Sequence, residues 1–407
     1  MKLPHTPWLL ATLAACGAPV EPETESAAVA PAPDRAALPV DAWTYVEVDS
    51  TKAQWGDFDE PEWLRYFGLA MGDLNADGYP DIVTGRNAYL SPGGDLTGAW
   101  VKEDLGRNVD ANLVGVDADG PYVLAEALPD VVRLRRQSDG TYAEEVVAQV
   151  PPTGHHNGQG YRAADVTGDG RSEMIYASQG GIYVMEPRAG ADWPVHLVAV
   201  DASDEGFAVA DVDGDGDLDV VAGYRAPGGD AEVPTYVSWY ENGGSLAEPW
   251  TRHDVGRTVF ATDRVEAADF DGDGRVDVAV AEERYPGLEP DAHLWVYLRR
   301  DTGFARREVV RQYSMNNLHA VDLDRDGDVD LLTGEHKGDR LALQAWLNDG
   351  SAVFTASEID RGKESHLGAR AHDMDGDGDD DVVSIGWDRH QYVHLWRNDA
   401  VEAEAGE

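Results

Sequence analysis

A single cysteine, Cys16, stands in a chain of 407 residues, so no intramolecular disulfide can hold this protein together. Basic charge is also scarce. There are 32 Lys and Arg against 77 Asp and Glu, a formal net charge of −45. Nucleic-acid binding needs a basic footprint and is excluded on that ground. Long apolar runs are missing too. The only candidate, Trp8 to Ala15, is too short to span a bilayer. Nor does any G-x-S-x-G, H-E-x-x-H, P-loop or dinucleotide fingerprint occur in a supporting context.

What the chain has in abundance is one acidic loop, D-x-[DNT]-x-D-G-x-x-[DE], followed each time by a short apolar run. Six copies occur: DLNADGYPD, DVTGDGRSE, DVDGDGDLD, DFDGDGRVD, DLDRDGDVD and DMDGDGDDD, beginning at Asp73, Asp165, Asp211, Asp269, Asp322 and Asp373. Oxygen ligands at alternating positions of a tight loop suit calcium, which takes six to eight oxygens in a flexible cage. Magnesium, which favours a rigid octahedron with retained waters, suits it poorly. The expected side-chain ligands are positions 1, 3, 5 and 9. They are Asp73, Asn75, Asp77 and Asp81; Asp165, Thr167, Asp169 and Glu173; Asp211, Asp213, Asp215 and Asp219; Asp269, Asp271, Asp273 and Asp277; Asp322, Asp324, Asp326 and Asp330; and Asp373, Asp375, Asp377 and Asp381. The glycine at position 6 permits the sharp bend. An EF-hand would need an acidic twelfth residue and flanking helices. Here the twelfth residues are Thr84, Tyr176, Ala222, Val280, Thr333 and Ser384, and the β-branched runs after each loop read as buried strands. About six calcium ions are expected.

The gap from Asp73 to Asp165 is twice that from Asp165 to Asp211, so one copy is hidden between them. Val114 to Ala127 (VGVDADGPYVLAEA) fills the place, but no register of it supplies the ligands. A repeat of roughly 50 residues with several strands each predicts an all-β, seven-bladed β-propeller. An aromatic leading an alternating run recurs late in the repeats, at Trp100, Tyr142, Trp193, Trp250, Phe304 and Phe354. A seventh such run, WTYVEVD from Trp43, precedes the first acidic loop, while the last repeat has none. The N-terminal run is therefore expected to supply the outer strand of the last blade and close the ring.

FGLAMGDLNADGYPDIVTG (Phe67 to Gly85), SWYENGG and AWLNDGSAVF resemble the FG-GAP / VCBS repeats of integrin α-like propellers and many bacterial surface proteins. The resemblance covers residues 43 to 399. It implies a seven-bladed propeller with calcium in the loops between first and second strands. It implies no single activity, because the family includes adhesins, ligand-binding heads and relatives of polysaccharide lyases.

The chain opens MKLPHTPWLLATLAACGAPV, which reads as a signal peptide over residues 1–15. Leu13-Ala14-Ala15-Cys16 resembles a bacterial lipobox, with Cys16 as the lipidation site. Residues 16–40, rich in Pro, Ala and Glu, are expected to be a disordered tether. The propeller follows over 41–400, and 401–407 is an acidic tail. The expected location is extracytoplasmic, on a lipid anchor to a bacterial membrane, with the outer membrane or cell surface favoured. The membrane is contacted through the lipid alone, and the protein is expected to act as a monomer.

The loops on the other face have a different composition. Arg86, Tyr161, Arg162, Tyr224, Arg225, Tyr285, Glu335, His336, Trp387 and His390 are candidates to bind a carbohydrate or protein ligand, with aromatic rings for stacking and arginine for acidic groups. The alternative is a polysaccharide lyase. In it arginine, Arg389 included, would neutralise a uronate, and His155, His156, His336, His366 or His390 would move protons.

Overall fold

In the computed structural model, the structure describes residues 37–401 apart from 60–64, 128, 153–159, 225–234 and 366–367. The described residues contain strands and turns and no helix, and hence none long and apolar enough to cross a membrane. The strands form seven antiparallel sheets of four, each following chain order from a first to a fourth strand. Blades 1 to 6 cover residues 69–104, 110–149, 161–200, 202–257, 261–312 and 315–360. Blade 7 takes three strands from residues 370–398 and its fourth from Trp43–Asp49. That borrowed strand pairs in register from Trp43 with Asn398 to Val46 with Leu395, as the sequence predicts for closure.

The second strands are continuous apolar runs because both their faces are covered. Asp81–Thr84, Glu173–Ser178, Asp330–Glu335 and Asp381–Ile385 are buried throughout. Cores form between neighbouring blades rather than at one centre. Ala70, Val83 and Ala88 of blade 1 pack with Ala111, Val123 and Val132 of blade 2, and Val221 and Trp239 of blade 4 with Val265 and Val278 of blade 5. Close approach is built in: a Cβ on Gly72 would lie 2.7 Å from the Val114 side chain.

The recurring aromatic before the fourth strand anchors the preceding loop. The indole N–H of Trp100 donates to Leu96 O at 3.1 Å, that of Trp193 to Arg188 O at 2.9 Å and that of Trp250 to Ser245 O at 3.0 Å. Blade 2 shows what a blade does without the acidic loop. Its first two strands, Asp110–Asp117 and Gly120–Ala127, join through a two-residue turn with Asp117 opposite Gly120. Asp117 accepts from both Arg133 and Arg135, so arginine supplies the positive charge there.

The chain joins the propeller slightly before Trp43. Leu38 N–H donates to Asp324 O at 2.6 Å, and Val40 packs on Leu323 and Ala345. The end of the expected tether thus lies against blade 6. Cys16 and the rest of the expected signal and tether through residue 36 lie outside the described residues.

Candidate functional site

All six acidic loops lie between first and second strands on one face of the ring. They share one internal wiring. The position-1 carboxylate accepts the position-6 glycine N–H in five loops, at 2.7 to 3.1 Å, as in Asp269 with Gly274 and Asp322 with Gly327. The position-5 carboxylate accepts the N–H two residues on in every loop, as in Asp77 with Tyr79 and Asp377 with Asp379. Position 6 has a left-handed φ, 95° at Gly78 and 106° at Gly327. Position 4 is left-handed as well, even where it is not glycine: Ala76 has φ 61° and Arg325 has φ 58°.

Position 9 has a role that the ligand spacing hides. In the loops of blades 1 and 4 to 7 its two oxygens accept different backbone N–H groups. Asp81 takes Leu74 N and Ser91 N, both at 2.8 Å; Asp219 takes Val212 N at 2.9 Å and Asn242 N at 2.8 Å; Asp381 takes Met374 N and Asn398 N, both at 2.9 Å. One carboxylate therefore ties its loop to the end of the third strand. The asparagine at that end continues the chain of bonds. The Asn242 side chain donates to Val166 O in the blade before, and the Asn348 side chain to Phe270 O. The signal for this staple was present as the recurring Asn of SWYENGG and AWLNDGSAVF, which the sequence offered only as part of the repeat resemblance.

In five loops three carboxylates bring oxygens within 4.8 Å of one another: Asp165, Asp169 and Glu173; Asp211, Asp213 and Asp219; Asp269, Asp271 and Asp273; Asp322, Asp324 and Asp330; and Asp373, Asp375 and Asp381. The first loop, with Asn75 at position 3, makes no such group of three among the described residues. Instead the Asn75 side chain donates to Asp77 at 2.8 Å. The donor set fits a hard cation. Asp271 Oδ1, Asp322 Oδ1 and Asp375 Oδ2 are buried and meet no hydrogen-bond donor, which disfavours the folded loop unless a cation faces them. Burial pushes the position-9 carboxyls up, to about 6 at Asp81, Asp219 and Asp277, about 7 at Asp330 and about 8 at Asp381. Neighbouring aspartates add to the rise. In two loops an arginine contributes positive charge from outside the cage: Arg171 pairs with Asp169, and Arg275 and Arg300 with Asp273.

The opposite face is built otherwise. Most of its singled-out side chains are spent on packing. Trp387 stacks on Phe67 with ring centroids 4.9 Å apart. His390 meets Phe67 edge-on; its Nδ1 lies 2.8 Å from Trp387 O and its Nε2 3.3 Å from Trp55 N. Those partners fix a neutral ring with the proton on Nδ1, and burial lowers its pKa. His336 is buried with Nδ1 3.4 Å from Glu364, whose other oxygen accepts Asp388 N and Arg389 N. Glu335 is buried against Arg340. Arg86 sits 4.0 Å over the Phe58 ring and pairs with Asp104 at 2.9 Å, and Arg252 lies 4.2 Å over Tyr224.

Tyr161 and Arg162 stand in the first strand of blade 3, Tyr161–Ala164, and not in a rim loop. His155, His156, Arg225 and His366 lie outside the described residues. Arg389 is exposed, as is its neighbour Asp388, and several large apolar side chains are open to solvent as well. Tyr285 is 81% exposed, Leu288 67%, Trp55 57% and Val259 53%, all in loops of this face. Sequence reasoning singled out only Tyr285 among these four.

The geometry defines a closed repeat propeller with acidic turns on one face and an apolar, aromatic rim on the other. Residues 165–222 and 322–384 match the model of the FG-GAP-like repeat, so the chain carries FG-GAP-like repeats in a seven-bladed ring. No curated protein matches the chain significantly. Among solved structures, it is similar to those of BBS1N in complex with ARL6DN. One, soaked with mercury, has TM-score 0.53 and 13% identity over 91% of this chain and 99% of that one; another, soaked with lead, has TM-score 0.52 and 13% identity over 88% and 96%. An Agrocybe aegerita lectin that recognises non-reducing terminal N-acetylglucosamine follows at TM-score 0.46 and 18% identity, over 79% of this chain and 85% of that one. At these identities the likeness to BBS1N concerns the fold alone.

Proposed function

We propose that this protein is a calcium-stabilised binding module, exported and anchored through a lipid on Cys16, that engages a carbohydrate or protein ligand with the face opposite the acidic loops. The observation that carries the reading is the division between the faces. Buried carboxylate oxygens without donors gather in the loops of one face. Exposed Tyr285, Leu288, Trp55 and Val259 gather on the other. Buried anionic oxygens call for an ion, and solvent-facing aromatic and aliphatic side chains on loops of one face call for a ligand. Calcium then acts as scaffold: it fixes the turns that set blade spacing, and the blades fix the loops opposite.

The lyase alternative needs a base at liberty on the ligand face. His390 Nε2 already faces a backbone N–H, and His336 is enclosed against Glu364. Binding is therefore the better account of the described residues. The test is a glycan array and a surface-protein capture screen in millimolar calcium, comparing wild type with the pair Tyr285→Ser and Leu288→Ser. Loss of captured ligand with an unchanged melting temperature supports the reading. Retention of the ligand by the variant overturns the placement of the site. For the anchor, Cys16→Ala is expected to move the protein from the detergent phase to the aqueous phase of a Triton X-114 extraction, and unchanged partition would contradict lipidation.

A further inference from the structure

Charge is spread unevenly around the outer wall of the ring. The fourth strands of blades 1 and 2 are acidic, with Glu103 and Asp104 in one and Glu144 and Glu145 in the other. Those of blades 4 and 5, Thr251–Arg257 and Gly303–Gln312, are basic: Arg252, Arg257, Arg306, Arg307 and Arg311 stand against Asp254 and Glu308. Arg252 pairs with Asp254, and Arg307 donates to Ser351 O and Ala352 O of blade 6. The other three, with Arg299 of the third strand, mark the seam between blades 4 and 5. Arg299 lies 5.6 Å over the Trp239 ring of blade 4, and Arg306 donates across the seam to Arg257 O at 2.7 Å. Arg306 also covers the Trp295 ring at 4.2 Å, on which His293 stacks. The register shift at Val309 sets Arg311 opposite His293, and so on the same side of the sheet as Arg306.

These four arginines meet rings and carbonyls, and among the described residues no carboxylate forms an ion pair with them. Two carboxylates stand beside the seam, each bonded to a histidine. Glu308 lies 3.5 Å from His293 Nε2, and Glu241 lies 2.7 Å from His253 Nε2. Arg257, Arg306 and Arg311 are exposed. A guanidinium lying on a ring keeps its N–H edge for an oxygen ligand. The seam also leads into the apolar rim. Val259 follows Arg257 by two residues. Arg284 covers Phe260 at 5.3 Å, and its backbone N–H donates to Ser314 Oγ, just past the end of Gly303–Gln312. Tyr285 and Leu288 belong to the loop that Arg284 begins.

We propose that this seam and the rim at its end bind one extended acidic segment of a protein partner, with its carboxylates on Arg257, Arg306 and Arg311 and an apolar end on Tyr285 and Leu288. The inference rests on the reading of the rim as a ligand surface and names the class of that ligand. Three observations favour a peptide over a glycan. Val259 and Leu288 are aliphatic and offer no flat ring to a sugar. Gly303–Gln312 is the outer edge of its sheet, so an extended chain has an unpaired strand to lie beside. An extended peptide repeats its side chains about every 6.6 Å, as the strand does, so alternate carboxylates keep step with the row. The chain's net charge of −45 opposes such a partner at long range. Beyond a Debye length of about 8 Å in physiological salt that field is screened, and the local row decides.

The test is a fluorescence anisotropy titration of the full chain in calcium. The probe is a labelled peptide of alternating Glu and Thr, about 12 residues long to match the strand, with Leu-Phe at one end or the other. Saturable binding of one of the two peptides is expected, weakening as salt rises. The same peptide with Gln for Glu is expected to bind about tenfold more weakly or worse. Arg311→Glu is expected to weaken the acidic peptide by about the same factor at an unchanged melting temperature, because no described residue bonds to Arg311. Arg107→Glu in blade 2 alters the net charge equally and is expected to leave binding as it was. Tyr285→Ser with Leu288→Ser should weaken the peptide that carries Leu-Phe and not one without it. If that pair changes neither peptide while Arg311→Glu does, the rim reading fails and the arginine seam stands. The proposal is overturned by absence of saturable binding to folded wild type, by equal binding of the Gln peptide, or by equal losses in Arg107→Glu and Arg311→Glu. Binding of heparin where both acidic peptides fail would overturn it in favour of a glycan.

Discussion

The two faces of this propeller apply the same physical term to opposite charges. On the loop face burial acts on acids and raises them, as at Asp330 and Asp381. On the other face and at the closing strand burial acts on bases and lowers them. Lys52, beneath Tyr66 O at 2.7 Å, falls to about 7, and His394, beside Tyr45 and Tyr392, to about 4. The acids crowd with like charges in groups that could hold a cation. The bases stand singly and are satisfied by carbonyls and rings. One face is therefore expected to depend on a cation from outside, while the bases named on the other are satisfied within the fold.

Removing that addition should have the largest effect. Exhaustive chelation is expected to lower the melting temperature steeply and calcium to restore it. Each occupied site contributes about 2.7 kcal/mol at a hundredfold excess over Kd, and extracellular modules bind at roughly 10⁻⁴ to 10⁻³ M. Scanning calorimetry in EDTA and in 10 mM calcium measures it. Equal melts would remove the contrast between the faces.

Next in size is a cut at the staple. Asp381→Ala leaves Met374 N and Asn398 N without their acceptor, an expected loss of about 2 to 4 kcal/mol even under chelation. Asp117→Ala in blade 2, which has arginines in place of a cage, should cost about 1 kcal/mol and be indifferent to calcium. Urea unfolding of both variants, with and without calcium, separates the two kinds of blade.

The pH response should change sign with calcium. In the chelated protein the loop carboxyls are raised from 3.8 to between about 6 and about 8, so the folded state holds protons that the unfolded state has lost. Their stabilisation is full below the unfolded pKa and is lost as pH rises through 6 to 8. With calcium bound that loss is suppressed. The buried histidines, His394 lowered from 6.5 to about 4 and His319 held well below 6.5, then set the response, and their stabilisation is lost as pH falls below 6.5. Melting temperature should fall from pH 5 to 8 in EDTA and rise over pH 4 to 6.5 in calcium. Parallel profiles would contradict the assignment of acids and bases to different faces.

The smallest effects mark the loop backbone and the rim. Ala76→Gly relieves a left-handed alanine and should stabilise by under about 1 kcal/mol. Tyr285→Ser should leave stability within about 0.5 kcal/mol, because the ring is exposed.

Much of the scaffold could be read in the residues, because its signals are local and repeated. The spacing of Asp165, Asp211 and their successors carried the period, and WTYVEVD carried the closure. The site was less legible, because burial is not a local property. Trp387 and His336 look like rim residues in one dimension and are packed against Phe67 and Glu364 in three. Tyr161 and Arg162 sit a few residues before a loop aspartate, yet strand register carries them to the axis. The double use of Asp219 and Asp381 was hidden for a related reason. Their partners Asn242 and Asn398 come from a strand whose distance along the chain differs from blade to blade.

The most direct measurement is a count of bound calcium by equilibrium dialysis at millimolar free ion, with the melting temperature followed in the same samples. Five or six ions per chain, with saturation and thermal stabilisation rising together, are expected from the five three-carboxylate loops and the sixth that has Asn75. Binding of one ion or none, or full occupancy with an unmoved melt, would contradict the account of these loops as a calcium-dependent scaffold.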